Sequence, residues 1–99
     1  MTVYLMVQVK IKNHEAYARY AEAFMPIFDK FNGTMLSADF NPKVLDGNWD
    51  KDRVVLMSFP SEEDATAWLT SNEYKTTFED RKAGADTIAL LAKGIGTSN

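Results

Sequence analysis

The chain has no cysteine, which excludes a disulfide framework, a thiolate metal site and a cysteine nucleophile, and fits a reducing compartment. His14 is the only histidine, so no second imidazole lies at metal-ligand spacing and no metal is expected. Blocks of one charge are missing too: 11 Lys and Arg are scattered among 14 Asp and Glu, for a formal charge of −3. Nucleic acid and anionic membranes are therefore not expected as partners. No apolar run approaches the ~20 residues that cross a bilayer; the apolar start from Val3 to Ile11 is broken by Gln8 and Lys10. It has no basic flank of the kind a leader peptide carries, and the expected location is cytoplasmic. A phosphate-cradling glycine loop and a Ser-His-Asp pattern are also lacking, and no cofactor is expected.

Five Gly and three Pro among 99 residues, with 45% hydrophobic and 25% charged, exclude a low-complexity chain. That length can bury one core and not two. One domain over residues 1–94 is expected, with a small, polar, flexible tail at 95–99.

Val3, Leu5, Val7, Val9 and Ile11 alternate with Tyr4, Met6, Gln8 and Lys10, the pattern of a strand with a core side. A helix follows, with Asn13 as its N-cap and Glu15 in the first turn. Tyr17, Tyr20, Ala21, Phe24, Phe28 and Phe31 recur at spacings of three and four, and Asn32-Gly33 supplies a stop with Gly33 as a left-handed cap. Thr34 to Leu45 reads as a second strand, with Met35, Ser37 and Asp39 on one face. Asp46-Gly47-Asn48 is a turn, and Arg53 to Phe59 a third strand. Ser61 caps a second helix whose first turn holds Glu62, Glu63 and Asp64, and whose buried stripe is Ala65, Trp68 and Leu69. A shorter helical piece places Tyr74, Phe78 and Arg81 on one side before Gly84 breaks it, and Thr87 to Lys93 is the last strand.

Strand, helix, strand, strand, helix, strand is the ferredoxin-like βαββαβ order: α+β, a four-stranded antiparallel sheet with the helices on one face. Val54–Phe59 and Ile88–Ala92 are apolar on both sides, so two helices leave one sheet face to be covered by something else. A second copy of the chain, packed sheet to sheet, is the simplest closed cover.

Glu15-Ala16-Tyr17-Ala18-Arg19-Tyr20, Asp46-Gly47-Asn48-Trp49, Arg53-Val54-Val55, Phe59-Pro60-Ser61 and Glu73-Tyr74 with Arg81 occur in that order. From about Tyr4 to Gly94 the set resembles the small bacterial family of domain of unknown function 1330 (DUF1330). The resemblance implies the dimeric α+β barrel superfamily, whose members include cofactor-free monooxygenases, lactone isomerases and ligand-sensing modules. It implies no reaction, because this family has none agreed. Where the family commonly carries Asp-Pro ahead of Glu-Ala-Tyr, this chain has Asn13-His14.

His14, beside a helix cap, reads as a solvated side chain more than a general base. Arg81 ends an apolar stripe, so its fork either binds a carboxylate ligand or pairs with Asp39, Asp46 or Glu79. Asp39 on a strand face is solvated, paired or functional. Tyr17 and Tyr20 need partners for their hydroxyls, Trp49 suits an interface, and Trp68 is core. The functional expectation is a homodimer with a site between sheet and helices. Tyr20, Asp39, Arg53 and Arg81 would line that site, for a small acidic or aromatic metabolite bound or transformed without a cofactor. The competing expectation is a homodimeric scaffold or interaction module with no chemistry.

Overall fold

Alternation in the first strand is what orients the whole domain. The computed structural model of the chain describes residues 1–95, so the expected tail lies almost wholly outside the described residues. In chain order the elements are β1 (Val3–Ile11), α1 (His14–Phe28), β2 (Thr34–Asp39), β3 (Arg53–Phe59), α2 (Glu62–Leu69), α3 (Asn72–Lys75), α4 (Phe78–Gly84) and β4 (Ala85–Lys93). The four strands form one antiparallel sheet in the order β2-β3-β1-β4, the ferredoxin-like arrangement. Asn13 caps α1 by accepting from the Ala16 amide at 3.0 Å, and Ser61 caps α2 by accepting from that of Asp64 at 3.1 Å.

Val3, Leu5 and Val9 of β1, with Val55, Met57 and Phe59 of β3, are buried under the helices. Their partners at the core are Phe28 of α1, Ala65 and Trp68 of α2 and Tyr74 of α3, while Val9 packs with Tyr17 and Ala85. Trp68 is the hub. Its ring centroid lies 4.6 Å from Tyr74, 5.4 Å from Phe28, 5.5 Å from Phe24 and 5.8 Å from Phe59. Each such contact contributes about 0.5–1.5 kcal/mol beyond the area it buries.

Two expectations are corrected. The second strand ends at Asp39, and a β-bulge separates Met35, opposite Met57, from Ser37, opposite Leu56. Ala38 then faces the helices with Met35, and Asp39, opposite Val54, is turned to the other face. One extra residue reverses everything after it. Gly33 is likewise no left-handed cap, because Gly47 is the only glycine with positive φ among the described residues. A Cβ at Gly33 would stand 2.5 Å from the Phe28 ring and 2.7 Å from that of Phe59, so the residue is small to let two aromatic side chains close over it.

Gly84 is small for a similar reason. Its carbonyl accepts from the Lys12 and Asn13 amides at 2.7 and 3.1 Å, which binds the end of α4 to the start of α1. A Cβ there would lie 2.6 Å from the Tyr17 backbone nitrogen and 2.8 Å from its Cα, and backbone cannot move aside as a flexible side chain can. Gly84→Ala should therefore destabilise the domain by about 1–3 kcal/mol, read as a lower urea midpoint. An unchanged midpoint would show that the two helices are free to separate at this point.

Candidate functional site

The space between sheet and helices is filled unequally. At the Val3–Phe59 end it holds the aromatic cluster around Trp68. Two residues further along β1, past the Leu5–Met57 level, the sheet presents Ala38, Val55, Val7 and Ala89 across its four strands. The two outer positions in that row are alanines, and Ala21 faces them from α1. Small side chains leave a cavity of about 470 Å³, the size of a small-molecule site.

One level further on, Arg53 of β3 and Thr87 of β4 flank Val9 in register. Arg53 lines the cavity and donates through Nη1 to the Tyr17 hydroxyl at 2.7 Å, with the Phe40 ring over its guanidinium at 4.3 Å. Its buried Nε has no hydrogen-bond partner among the described residues. Arg81 reaches in from α4, donating through Nη1 to the Thr87 hydroxyl at 2.6 Å, with its guanidinium 5.4 Å from the Phe78 ring centre. Among the described residues neither arginine makes an ion pair; the acids that do so serve Lys10, Lys12, Arg19 and Lys51.

Of the four residues expected at the site, Tyr20, Arg53 and Arg81 line this cavity together. Asp39 does not, because the bulge turns it to the opposite face, where it accepts from the Asn41 amide at 2.8 Å. Tyr17, Tyr74 and Thr87 also line it. The stripe of Tyr74, Phe78 and Arg81 could have pointed to Tyr74; the three alanines carried no signal, since their role is the volume they leave empty. His14 borders a separate, polar hollow with Lys10, Trp49 and Asp52. No group of three or more potential ligands able to hold a metal occurs among the described residues.

A family model described as "Domain of unknown function (DUF1330)" matches residues 2–95. No curated protein matches the chain. Among solved structures, a protein of unknown function from Rhodopseudomonas palustris is similar, with TM-score 0.81 and 18% identity over 97% of this chain and 84% of that one. A dimeric ferredoxin-like protein of unknown function from Jannaschia sp. matches with TM-score 0.75 and 14% identity over 95% and 100% of the two chains. SnoaB, a cofactor-independent oxygenase from Streptomyces nogalater, matches with TM-score 0.66 and 12% identity over 97% and 95%. At these identities the likeness is one of fold.

Two of the cavity's phenols, Tyr20 and Tyr74, are held in one protonation state. The Tyr20 and Tyr74 hydroxyls lie 3.0 Å apart, and only one of them can donate in that bond, which leaves the other O–H to donate elsewhere. Burial, above all, pushes both phenols above the ordinary value of about 10. Both therefore stay neutral at physiological pH and serve as hydrogen-bond donors, not bases. Among the described residues no carboxylate or imidazole lines the cavity. The arrangement can bind an anion and polarise an oxygen.

Alkaline pH exposes this tuning. Above about pH 10 the unfolded chain releases these protons while the folded chain keeps them, so the stabilisation is complete below that pH and is lost above it. Each phenol so raised contributes a decline of up to about 1.4 kcal/mol per pH unit. Tyr20→Phe should fall less steeply than the parent in urea titrations from about pH 10 upward; parallel profiles would show that Tyr20 titrates as a solvated phenol.

Proposed function

This chain belongs to the DUF1330 family, and on that premise we propose that it binds a small acidic or aromatic metabolite in the cavity between sheet and helices. The observation that carries this reading is the pair of guanidinium groups, Arg53 and Arg81, which border an apolar cavity without an acidic partner among the described residues. A cation bordering apolar surroundings is poorly compensated by rings and hydroxyls alone, and an anionic ligand relieves that. Tyr20 or Tyr74 supplies one further donor for a neutral oxygen on the same ligand. The lining favours binding over proton abstraction, since the Tyr20 and Tyr74 phenols are held neutral.

A thermal-shift screen of small carboxylic and aromatic compounds tests this reading. A ligand at a hundred times its dissociation constant adds about 2.7 kcal/mol of stability. Arg81→Lys should diminish the shift, because an ammonium cannot reproduce the planar fork. If no compound stabilises the parent chain, the cavity is a packing defect and the scaffold reading takes its place.

The second part of the proposal concerns assembly. Tyr4, Met6, Ile88 and Leu90, 43%, 38%, 48% and 54% exposed, lie on the sheet face away from the helices. Val54 and Leu56 continue the patch on β3. A polar rim bounds it at one end, where Lys10 opposes Asp86 and the Trp49 indole donates to Gln8 at 3.0 Å. Soluble monomers seldom leave contiguous apolar patches of several strands bare, and a second copy covers this one by two-fold symmetry. The dimeric description of the Jannaschia protein of the same fold supports this. The cysteine-free composition supports a cytoplasmic location, and among the described residues no helix is long and apolar enough to cross a membrane.

Sheet-to-sheet packing of this kind buries on the order of 2,000 Å². Light scattering at micromolar concentration should therefore return twice the 11.2 kDa chain mass. Met6→Asp, which sets a charge in the middle of the face, should split the dimer or unfold the chain. A stable monomer of the unaltered chain would refute this assembly.

A further inference from the structure

We propose that the ligand carries two acidic groups, one for Arg53 and one for Arg81, joined by an apolar body of about ring size. The inference rests on the cavity being a ligand site and specifies the chemistry of its occupant.

The two guanidinium groups are anchored on opposite sides of β1. Arg53 belongs to β3, and Arg81 is tied to β4 through Thr87; Arg53 and Thr87 both pair with Val9, one from each side. The backbones of Arg53 and Thr87 are thus two strand spacings, roughly 10 Å, apart. Tyr17 of α1 packs on Val9 between these two strands, and its hydroxyl is taken by Arg53. The surroundings are separate as well. Arg53 has Tyr17 and Phe40, whereas Arg81 has Thr87 and Phe78.

Each guanidinium has five N–H donors, and each makes one side-chain hydrogen bond among the described residues. One carboxylate held at either fork leaves the other cation without an acid. Two acids separated by an apolar spacer satisfy both. The spacer then lies over the Val7, Val55 and Ala89 floor, beside the Tyr20 and Phe24 rings. An aromatic or alicyclic dicarboxylic acid has this form. A keto or hydroxyl oxygen on the spacer would find the remaining phenol donor of the Tyr20–Tyr74 pair.

Three probes with the same ring separate the possibilities in the parent chain: isophthalate with two carboxylates, benzoate with one, and dimethyl isophthalate with none. Calorimetry at neutral pH should show isophthalate binding roughly tenfold or more tightly than benzoate, because a further charge-assisted hydrogen-bonding group is satisfied. The advantage should shrink as salt is raised. In Arg53→Gln and in Arg81→Gln, checked for folding by circular dichroism, isophthalate should fall to the benzoate level.

Equal affinity for benzoate and isophthalate, or an isophthalate advantage that survives both substitutions, would overturn the two-acid inference and leave the cavity reading standing. Binding of the diester as tight as that of the diacid would do the same, with an apolar ligand indicated. If none of the three stabilises or titrates the parent, the inference falls; whether the cavity reading falls with it is decided by the broader screen. The comparison within the parent needs no variant, so a substitution that unfolds the chain leaves the test intact.

Discussion

The unequal filling of one gap governs this domain. The helices rest as one layer on one sheet face, and the height at which they rest is set where Trp68, Phe28 and Phe59 pack between helices and sheet. Large rings hold the layers apart at that end, and the sheet is continuous, so the layers are still apart where the side chains shrink to Ala38, Ala89 and Ala21. Interiors are ordinarily filled to crystal-like density. Here the aromatic cluster props open a volume that the alanines cannot fill, and the cavity results from packing at a distance as much as from its own lining.

Charge enters that volume from the end opposite the cluster, in a form that is only partly answered. Phe40 lies over the Arg53 guanidinium and Tyr17 takes one of its donors; Thr87 takes one from Arg81, and Phe78 lies alongside. Rings and hydroxyls of this sort hold a guanidinium in place without neutralising it. A structural pair would have brought a carboxylate to the same spot. The chain has 14 acidic residues and uses four of them in its ion pairs among the described residues, all with other cations. The distribution of acids leaves the cavity's sign positive, and that sign carries the functional reading.

The fold was legible because periodicity is local. Five alternating apolar residues identify β1, the Asn13 and Ser61 caps mark two helix starts, and the count of apolar faces against helices is arithmetic on the sequence. Arg53, Arg81 and Tyr20 were legible as site candidates for the same reason, since each sits on a strand or stripe whose core side the pattern reveals. Asp39 was misplaced because a bulge costs one residue and leaves no signature in the alternation: Met35, Ser37 and Asp39 look equivalent until the partner strand fixes the register. Gly33 was misread because a glycine required by two closing aromatic rings looks in sequence like one required by backbone torsion. The cavity itself was expected from the fold and not from residues, because an alanine that lines a void and an alanine that fills a core are spelled alike.

The same alternation that builds the site also separates it from the proposed assembly. Along β1, Leu5, Val7 and Val9 line the cavity while Tyr4 and Met6 face outward. On β4, Thr87 and Ala89 point in and Ile88 and Leu90 point out. Strands β1, β3 and β4 thus carry both roles, one residue apart, and a substitution on one face leaves the other's side chains in place. The segment that joins them is residues 40–52, which begins with Phe40 over the Arg53 guanidinium and reaches Trp49 on Gln8 at the rim of the outer patch. The two faces share these strands and this loop, while the chemistry at each face remains its own. Changes of Met6 and of Arg81 should act on assembly and on ligand binding respectively, and that separation follows from the two-residue period of a strand.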